Sequence, residues 1–374
     1  MKKFCLFICL LIFFTIHAVF INTNSVVLAE AVTSDPVTVK IATYNIAAGR
    51  GVDGFYNISR IANAIEKTGA DIIGLQEVDV HWGDRSRKDH MIEKLANRLN
   101  MEYYFAPIYD LDPLNENEPR RQFGVAVLSK YPITAAVNRE ITRLSTQNPN
   151  PFPRLTPGFL EAEINVEDAE LAFYVTHLDY RSDPTIREMQ VEDMKEIMKK
   201  KTYSILVGDL NATPNALELK PLQKTYTDVW MTSGSGQGYT YPTTSPDRRI
   251  DYILTSPRIK VNKATTLEST ASDHLPVVAN ITLIPGNHSY NLKGMEWLVY
   301  QLYEQGEIRK LTLINRHLQV LSYYEQNNLT GKLVKHLYGL KELLNLQKES
   351  GEITKKAWEE LQRDIDYFMK KYRE

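Results

Sequence analysis

The sequence predicts an α/β domain of two packed, mostly antiparallel β-sheets flanked by helices, followed by a small all-α bundle. Three observations support this prediction. Short β-rich runs alternate with helical patterns up to residue 286, all 17 prolines lie at or before Pro285, and four apolar stripes at helical spacing follow. Because proline is excluded from helix interiors, its absence from the tail agrees with a helical bundle there. The predicted domains are 32–286, the α/β domain, and 290–374, the helical module.

The elements of the first domain follow one another in order along the chain. Residues 37–44 alternate as a strand, and residues 71–76 form a compact apolar strand. Helical spacing covers 58–67 and 92–99. Further strands are predicted at 102–106, 123–128, 159–165, 171–176, 204–208, 250–254 and 277–283. Because strands outnumber helices, two stacked sheets with helices outside are favoured over a single doubly wound sheet, which gives a four-layer α/β/β/α sandwich.

The tail carries four stretches of apolar residues at helical spacing. They comprise Met295, Leu298, Val299 and Leu302; Ile308, Leu311, Ile314, Leu318 and Leu321; Leu333, Leu337, Leu340 and Leu344; and Ile353, Ala357, Leu361, Ile365 and Phe368. Breaks at Gly306, at 327–328 and at Gly351 separate these stripes. The pattern predicts a helical bundle with its own core, in which His317 and His336 are packing or surface residues.

The first 29 residues have the pattern of a secretory signal peptide. Lys2 and Lys3 precede an apolar run at 4–20, and small residues around Ala29 offer a cleavage position. An uncleaved membrane anchor is the alternative, because the apolar run is long for a signal core. We therefore expect the protein to be secreted or associated with the cell envelope.

Composition narrows the class of protein and of site. With 43% hydrophobic and 24% charged residues, the chain is neither a fibre nor a multi-span membrane protein. Residues 30–286 carry 28 basic and 34 acidic side chains, so no overall basic field attracts nucleic acid. A nuclease is still possible, because a bound metal supplies positive charge locally. Both cysteines, Cys5 and Cys9, lie in the signal segment, so the processed chain would have no disulfide or thiol nucleophile.

Polar side chains stand where several predicted strands meet loops, which is where an α/β scaffold presents functional groups. They are Asn45, Glu77, His177, Asp209, Asn211, Asp251, Asp273 and His274. Each alone is typical of a turn, a helix cap or core packing. Together they supply hard oxygen ligands for Mg²⁺, or for Mn²⁺ or Ca²⁺, and a histidine that a carboxylate can orient. Phosphate-ester hydrolysis needs this set: a cation, a base for water and a proton donor.

The order of these motifs resembles the endonuclease/exonuclease/phosphatase superfamily. The most specific are Gly208-Asp209-Leu210-Asn211-Ala212 and Ser272-Asp273-His274-Leu275-Pro276. Leu75-Gln76-Glu77 and Thr176-His177-Leu178 support them. The resemblance covers about residues 38–284, nearly the whole first domain, and implies hydrolysis by in-line attack of water on phosphorus.

The resemblance also implies the residues of the metal site. Glu77 is similar to the principal metal ligand of the family, with Asn45 beside it and Asp273 in the same region. Some members have an acidic residue directly after the first motif, whereas residues 46–49 here contain none. The number of bound metals is therefore left open.

Five further residues are implied to act on the phosphate. Asp209 resembles the carboxylate that orients or deprotonates the attacking water, and Asn211 the amide that holds the phosphate. His177 and His274 resemble the histidine pair that flanks the scissile phosphate, and Asp251 would orient His274.

The substrate is the open question. Arg85, in the loop after Glu77, and Arg121, just before a strand, are the candidate phosphate-binding residues, although both also fit solvated surface positions. The loop resembles bacterial members that act on lipid headgroups or small extracellular phosphoesters, which favours a phosphodiesterase. An extracellular endonuclease and a phosphomonoesterase are alternatives. A third alternative is a non-catalytic envelope-binding protein, although such a member should have lost Glu77, Asp209 or a histidine.

Residues 290–370 resemble FIMAH, a helical module at the C-terminus of exported enzymes of Gram-positive bacteria. The resemblance depends on length, position and the Leu-rich pattern around residues 331–333 and Leu340. It implies export of the Gram-positive type and a module that docks the enzyme on the cell envelope or on another protein. Nucleic acid is expected only as a possible substrate.

Overall fold

The computed structural model describes residues 36–167, 169–199, 201, 203–283 and 292–372. The predicted signal peptide at 1–29 and the domain boundary near 286 lie outside these ranges. Within them, none of the helices has both the length and the apolarity that crossing a bilayer requires.

The α/β domain contains twelve strands and five α-helices within the described ranges. In chain order they are β1 (Val37–Asn45), α1 (Ile58–Thr68), β2 (Ile72–Val80), α2 (Met91–Leu99), β3 (Glu102–Leu111), β4 (Arg121–Ser129), β5 (Ile133–Arg143), β6 (Arg154–Val166), β7 (Ala169–His177), α3 (Thr185–Met198), β8 (Ser204–Asp209), α4 (Lys220–Thr225), β9 (Thr227–Asp228), α5 (Val229–Ser233), β10 (Asp251–Thr255), β11 (Lys260–Thr266) and β12 (Val277–Leu283). The tail adds α6 (Leu292–Glu304), α7 (Thr312–Gln326), α8 (Thr330–Glu349) and α9 (Lys355–Lys371).

The strands form two six-stranded sheets, which confirms the predicted fold class. Their orders are β11-β12-β1-β2-β4-β3 and β5-β6-β7-β8-β10-β9. Pairing is antiparallel except for β1 with β2 and β7 with β8, which are parallel. Each parallel pair brings the carboxyl ends of two strands to one sheet edge, and both pairs lie in the middle of their sheets.

The inner faces of the two sheets form the main core. Ile41 and Val125 of the first sheet belong to the same fully buried cluster as Val175 and Val207 of the second. At Gly74 the sheets are so close that a Cβ would lie 2.3 Å from a methyl carbon of Val207. This tight contact fixes one sheet against the other.

Helices cover the two outer faces and complete the four layers. Ile61 of α1 and Leu95 of α2 pack with Leu75 on the outside of the first sheet. Val191 of α3 packs with Tyr252 on the outside of the second. The apolar faces of these helices are buried against the sheets, which is why their spacing was readable in the sequence for α1 and α2.

Local signals set the bounds of α1. The Asn57 side chain accepts a 3.0 Å hydrogen bond from the backbone N–H of Arg60, which caps the first turn. Gly69 ends the helix with φ +62°, a left-handed conformation that glycine adopts without strain. The helix predicted at 58–67 therefore lies within one residue of the observed bounds.

The sequence analysis missed the edge strands β5 and β11 and the helix α3. Most residues of β5 and β11 are partly or fully exposed, so neither strand has the alternating apolar pattern of a half-buried strand. In α3 several polar side chains are buried, including those of Arg187 and Gln190, so its helical apolar stripe is weak.

The four tail helices enclose a separate apolar core, as their stripes predict. Ile308 and Ile353 belong to this core but precede α7 and α9, where they form an isolated β-bridge with each other. Gly306 and Gly351 precede them with φ of +74° and +72°, so both breaks are left-handed turns.

The tail packs on the α/β domain as part of one unit. The guanidinium of Arg258, which follows β10, donates to the carboxylate of Asp364 in α9, and both side chains are buried. Nearby, Trp297 Nε1 donates to the Arg258 backbone oxygen over 3.1 Å. Gln305 Nε2 donates to the Pro257 backbone oxygen over 3.3 Å. We call this set the tail contact.

Candidate active site

The strand ends bring the predicted site residues together. Asn45 is the last residue of β1, His177 of β7 and Asp209 of β8. His177 is the register partner of Asp209 in the parallel pair, and Asp251 is its partner in the antiparallel pair with β10. Since the two sheets face each other, these ends meet at one edge of the sandwich.

A buried histidine–aspartate pair lies at this edge. His274 Nδ1 is 2.8 Å from Asp251 Oδ2, and the Tyr241 ring lies 4.7 Å from the imidazole, centroid to centroid. Burial opposes the charge on His274, but Asp251, with Asp209 and Asp273, outweighs it and raises the pKa of His274 to about 10. The imidazole is therefore protonated at neutral pH in this arrangement.

Asp209 lies at the centre of the cluster. Its Oδ2 is 3.5 Å from His177 Nε2 and 3.7 Å from His274 Nε2, and its Oδ1 accepts the backbone N–H of Asn211 over 2.9 Å. Burial, and next the charge of Asp251, raise the pKa of Asp209 above its ordinary value. A carboxylate with a raised pKa is a stronger base toward a bound water.

Glu77 reaches the same cluster because β2 is interrupted. The pairing of β2 with β4 shifts between Leu75 and Val78, and Glu77 at that bulge has φ +57°. Asn45 Nδ2 donates to Glu77 Oε1 over 3.1 Å and to Asp209 Oδ2 over 3.2 Å. Glu77 and Asp209 therefore accept from the same amide nitrogen and lie close together.

The donor set fits a hard divalent cation. Glu77, Asp209 and the exposed Asp273 contribute carboxylates to one cavity wall, and buried Asp251 Oδ1 has no hydrogen-bond partner among the described residues. Like charges at this density favour a bound cation. Asp209, Asp251 and His274 offer donor atoms within 4.8 Å of one another. The Asp251–His274 hydrogen bond uses Oδ2 of Asp251 and Nδ1 of His274, so these two residues have only Asp251 Oδ1 and His274 Nε2 left to offer to a cation.

Asn45 does not offer its oxygen to this cluster. Its Oδ1 accepts the backbone N–H of Ala47 over 3.1 Å, so its Nδ2 faces the carboxylates. Service as an oxygen ligand would require the amide to turn over, and this role stays a prediction. The loop of Asp273 and His274 is fastened to the same strand end, because Ser272 Oγ donates to the Asn45 backbone oxygen over 2.7 Å.

Asn211 lies in the cavity wall with a fixed amide. Its φ is +49°, and its Nδ2 donates to the Leu178 backbone oxygen over 3.0 Å. One N–H of that amide therefore has a protein partner, and the second remains for a ligand.

The cluster opens into a cavity of about 500 Å³. Three half-buried rings, those of Trp82, Tyr109 and Phe123, form one wall; Trp82 and Phe123 have centroids 5.7 Å apart. We call them the aromatic wall. Arg85 also lines the cavity, where both oxygens of buried Asp79 accept from its guanidinium over 2.7 and 2.9 Å.

The structure separates the two arginines chosen from the sequence. Arg121 is not among the residues that line the cavity in the described chain. Its Nε donates to the Asp112 backbone oxygen over 2.9 Å, and its guanidinium lies 5.9 Å from the Trp82 ring. It is positioned to hold Trp82, and a direct role in substrate binding stays a prediction.

Sequence reasoning missed the aromatic wall, Tyr241 and Arg143, all of which line the cavity. Trp82 stands in the loop that was singled out for its charges, so its ring was a readable signal. Arg143 ends β5, the strand that the sequence pattern did not reveal, and Tyr241 lies in a segment without periodicity.

Comparison with known proteins agrees with the geometry. The family model described as "Endonuclease/Exonuclease/phosphatase family" matches residues 42–274. The chain belongs to this family. Members are hydrolases of phosphate esters, and the resemblance drawn from the motifs is confirmed. The FIMAH domain model matches residues 292–370, so the second resemblance is confirmed as well.

Solved structures share the fold of the catalytic part. An endonuclease/exonuclease/phosphatase from Beutenbergia cavernae DSM 12333 is 21% identical with a TM-score of 0.55, covering 67% of this chain and 72% of that one. A family protein from Bacteroides thetaiotaomicron is 19% identical with a TM-score of 0.53, over 67% of this chain and 99% of its own. A mannosyl-6-phosphatase from strain VPI-5482 of that species is 20% identical with a TM-score of 0.50, over 66% and 100%.

Proposed function

We propose that the protein is an exported, divalent-metal-dependent phosphodiesterase that cleaves a lipid headgroup or another small extracellular phosphoester. The observation that carries this proposal is the convergence of Glu77, Asp209 and His274 on one cavity, where the Asn45 amide donates to both carboxylates. These residues are scattered over some 200 positions of sequence, and packing alone does not require them to meet.

Glu77 and Asp273 would hold the cation, with Asp209 adjacent. Mg²⁺ suits this oxygen set best, and Mn²⁺ and Ca²⁺ use the same ligand chemistry. When bound, the cation supplies positive charge that offsets the developing charge on the phosphoryl oxygens.

The side chains have complementary tasks around the scissile phosphate. Asp209, with its raised pKa, accepts a proton from the water that attacks phosphorus. As the bond from phosphorus to the alcohol oxygen breaks, that oxygen takes up a proton from solvent. Protonated His274, held by Asp251, donates to a phosphoryl oxygen. The second amide N–H of Asn211 and the ring of His177 bind the remaining oxygens, on the same side as Asp209.

The shape of the cavity favours a small substrate over a nucleic acid. Its volume of about 500 Å³ and its aromatic wall accommodate one headgroup or sugar ring. A nuclease needs cations spaced along a groove for several phosphates, whereas the Arg85 charge here is offset by Asp79. The endonuclease remains the second candidate, because the fold alone does not select the substrate.

Export and docking belong to the same proposal. The signal-peptide pattern at 1–29 supports secretion by the Gram-positive type of export. The helical module would hold the enzyme to the cell envelope or to a protein there, because no described residue of the tail lines the cavity and the module is therefore available for another task.

The test is hydrolysis of bis-p-nitrophenyl phosphate by the full processed chain with Mg²⁺. We expect turnover that a chelator abolishes and that Asp209→Asn lowers about 10³-fold. The matched control is Asp366→Asn, an exposed tail residue paired with Lys341, which should leave turnover unchanged. Equal activity of the wild type and Asp209→Asn would overturn the proposal. Parallel assays with sphingomyelin, phosphatidylinositol, phosphosugars and plasmid DNA identify the substrate class.

A further inference from the structure

Arg143 is a buried cation in the cavity wall. It is the last residue of β5, only 9% of its surface is exposed, and it lines the cavity together with Tyr109, His177 and Asp209. The mechanism proposed above does not use it, and the sequence analysis did not select it.

The three arginines of the cavity wall differ in how their charges are balanced. Arg85 makes a two-armed ion pair with buried Asp79, and Arg248 pairs with its neighbour Asp247 over 3.1 Å. For Arg143, no ion pair with a carboxylate exists among the described residues. Its Nη1 and Nη2 donate instead to the backbone oxygens of His177 and Gly158, over 3.1 and 2.7 Å.

Carbonyl groups orient this guanidinium but do not neutralise it. Burial lowers the pKa of Arg143 from its ordinary value to about 10, which reflects the cost of keeping the charge out of water. After burial, the next largest effects on the pKa of Arg143 come from the Tyr109 phenol and the Asp179 carboxylate, and both raise it. The Asp179 carboxylate is already paired with Arg181. An uncompensated buried charge costs several kcal/mol in general, unless a ligand of opposite charge offsets it.

The backbone makes room for Arg143. At Gly158 φ is +123°, and a Cβ there would lie 3.0 Å from both Nε and Nη2 of Arg143. The same Cβ would lie 2.4 Å from Cγ1 of Ile108, so glycine at this position leaves room for both side chains beside β6.

The cavity wall consequently carries charges of both signs. Glu77, Asp209 and Asp273 supply its carboxylates, where the scissile phosphate and its cation are proposed to bind. His177 lies next to both Arg143 and these carboxylates, because its ring nitrogen is 3.5 Å from Asp209 and its backbone oxygen accepts from Arg143. One small molecule in the cavity can therefore contact both.

We propose that Arg143 binds a second anionic group of the substrate, a carboxylate or phosphate carried on the alcohol portion of the phosphodiester. This inference rests on the proposed function and narrows its substrate class to diesters with an additional negative charge. Tyr109, adjacent in the wall, would contact the apolar link between the two anions.

The test compares two synthetic p-nitrophenyl phosphodiesters that differ in one group. The second alcohol of one ester carries a terminal carboxylate, and that of the other carries the isosteric carboxamide. We expect the wild type to prefer the carboxylate ester about 10- to 100-fold in kcat/KM, because a charge-assisted hydrogen bond in a buried site is lost with the amide. Equal rates for the two esters would overturn the inference and leave the proposed function intact.

Two variants assign the preference to Arg143. Arg143→Gln should remove the preference while the carboxamide ester loses little, and Arg143→Lys should retain part of it. The control is Arg120→Gln, an exposed arginine paired with Asp110 and Asp112 outside the cavity, which should keep the full preference. If Arg143→Gln lowers both rates equally, Arg143 has only a structural role in joining the strands, and the inference is wrong.

A binding measurement distinguishes failure of this inference from failure of the proposed function. Both esters are titrated calorimetrically into the Asp209→Asn variant, so that preference is measured without turnover. If the wild type hydrolyses neither ester, the proposed function is contradicted. Tighter binding of the carboxylate ester in the same titration would still support an anion site at Arg143, and equal binding would overturn it.

Discussion

The α/β domain and the helical tail use buried polar groups in opposite ways. In the α/β domain, Asp209, Asp251 and His274 gather charges that burial opposes, at the edge where strands end. In the tail, the core is built from leucine and isoleucine, and the buried carboxylate of Asp364 pairs with Arg258 across the tail contact. The comparison teaches that similar burial of charge accompanies the proposed active site in one region and the tail contact in the other.

The largest expected effect separates the two regions by activity. Replacing His274 by Gln removes the proposed charged hydrogen-bond donor to the phosphoryl oxygen and should lower kcat about 10²- to 10³-fold without unfolding the protein. The matched change in the tail, His317→Gln, should leave kcat unchanged. Steady-state kinetics with bis-p-nitrophenyl phosphate measure both variants. Comparable losses of kcat in the His274→Gln and His317→Gln variants would contradict the assignment of catalysis to the α/β domain.

The next largest effect is on stability, and here we expect the change in the tail to matter while activity is unaffected. Asp364→Ala removes the carboxylate to which buried Arg258 donates, which should cost about 3 kcal/mol of unfolding free energy. Denaturant unfolding gives the loss, while kcat per folded molecule should stay at the wild-type value. The double variant Arg258→Met with Asp364→Leu should recover most of the stability, because it removes both charges. A loss of turnover in folded Asp364→Ala would show that the tail takes part in catalysis.

A smaller effect concerns the aromatic wall. Trp82→Ala removes its largest ring and should raise KM for a small diester about tenfold with little change in kcat. Trp358→Ala in the tail is the control, since its ring contacts Lys348 far along the sequence from the cavity residues. If Trp82→Ala lowers kcat and leaves KM unchanged, the wall acts in the transition state and does not merely hold the substrate.

The smallest effect is a pH dependence confined to the tail. The His317 and His336 rings lie 4.6 Å apart, centroid to centroid, and burial lowers the pKa of each below its ordinary value of 6.5. The folded tail therefore binds protons less readily than the unfolded chain, so its stability is complete above pH 6.5 and falls as the pH drops below that value. Solvent screening keeps the loss below about 1 kcal/mol.

Thermal unfolding between pH 7.5 and 5 measures this dependence. The double variant His317→Gln with His336→Gln should show a smaller decrease of the melting temperature over that range than the wild type. An identical decrease in both proteins would place the pH dependence elsewhere in the chain.

The sequence predicted the parts of this molecule that have a regular pattern or a specific motif. The two-sheet architecture and the tail helices followed from periodicity, and the resemblance singled out Asp209 and His274, which the structure brings together. The features that the sequence did not predict depend on tertiary context. The edge strand β5 has no apolar alternation, so Arg143 at its end could not be placed in the cavity.

Two further details show the same limit. The sequence favours Arg121 over Arg85 because Arg121 immediately precedes a strand, but of the two only Arg85 lines the cavity, where buried Asp79 holds its guanidinium. The oxygen of Asn45 could be assigned to a metal from residue type alone, whereas its orientation depends on the backbone N–H of Ala47. Neither partner could be identified before the chain was folded.

The tail contact has a consequence for how an anchored enzyme meets its surroundings. Trp297 and Gln305 donate to the backbone oxygens of Arg258 and Pro257, beside the Arg258–Asp364 pair, so several contacts hold the tail on the α/β domain. If the tail helices bind the cell envelope as proposed, the cavity mouth would therefore keep one orientation and one distance relative to the envelope. Such an enzyme would process only those molecules that arrive from the direction it faces.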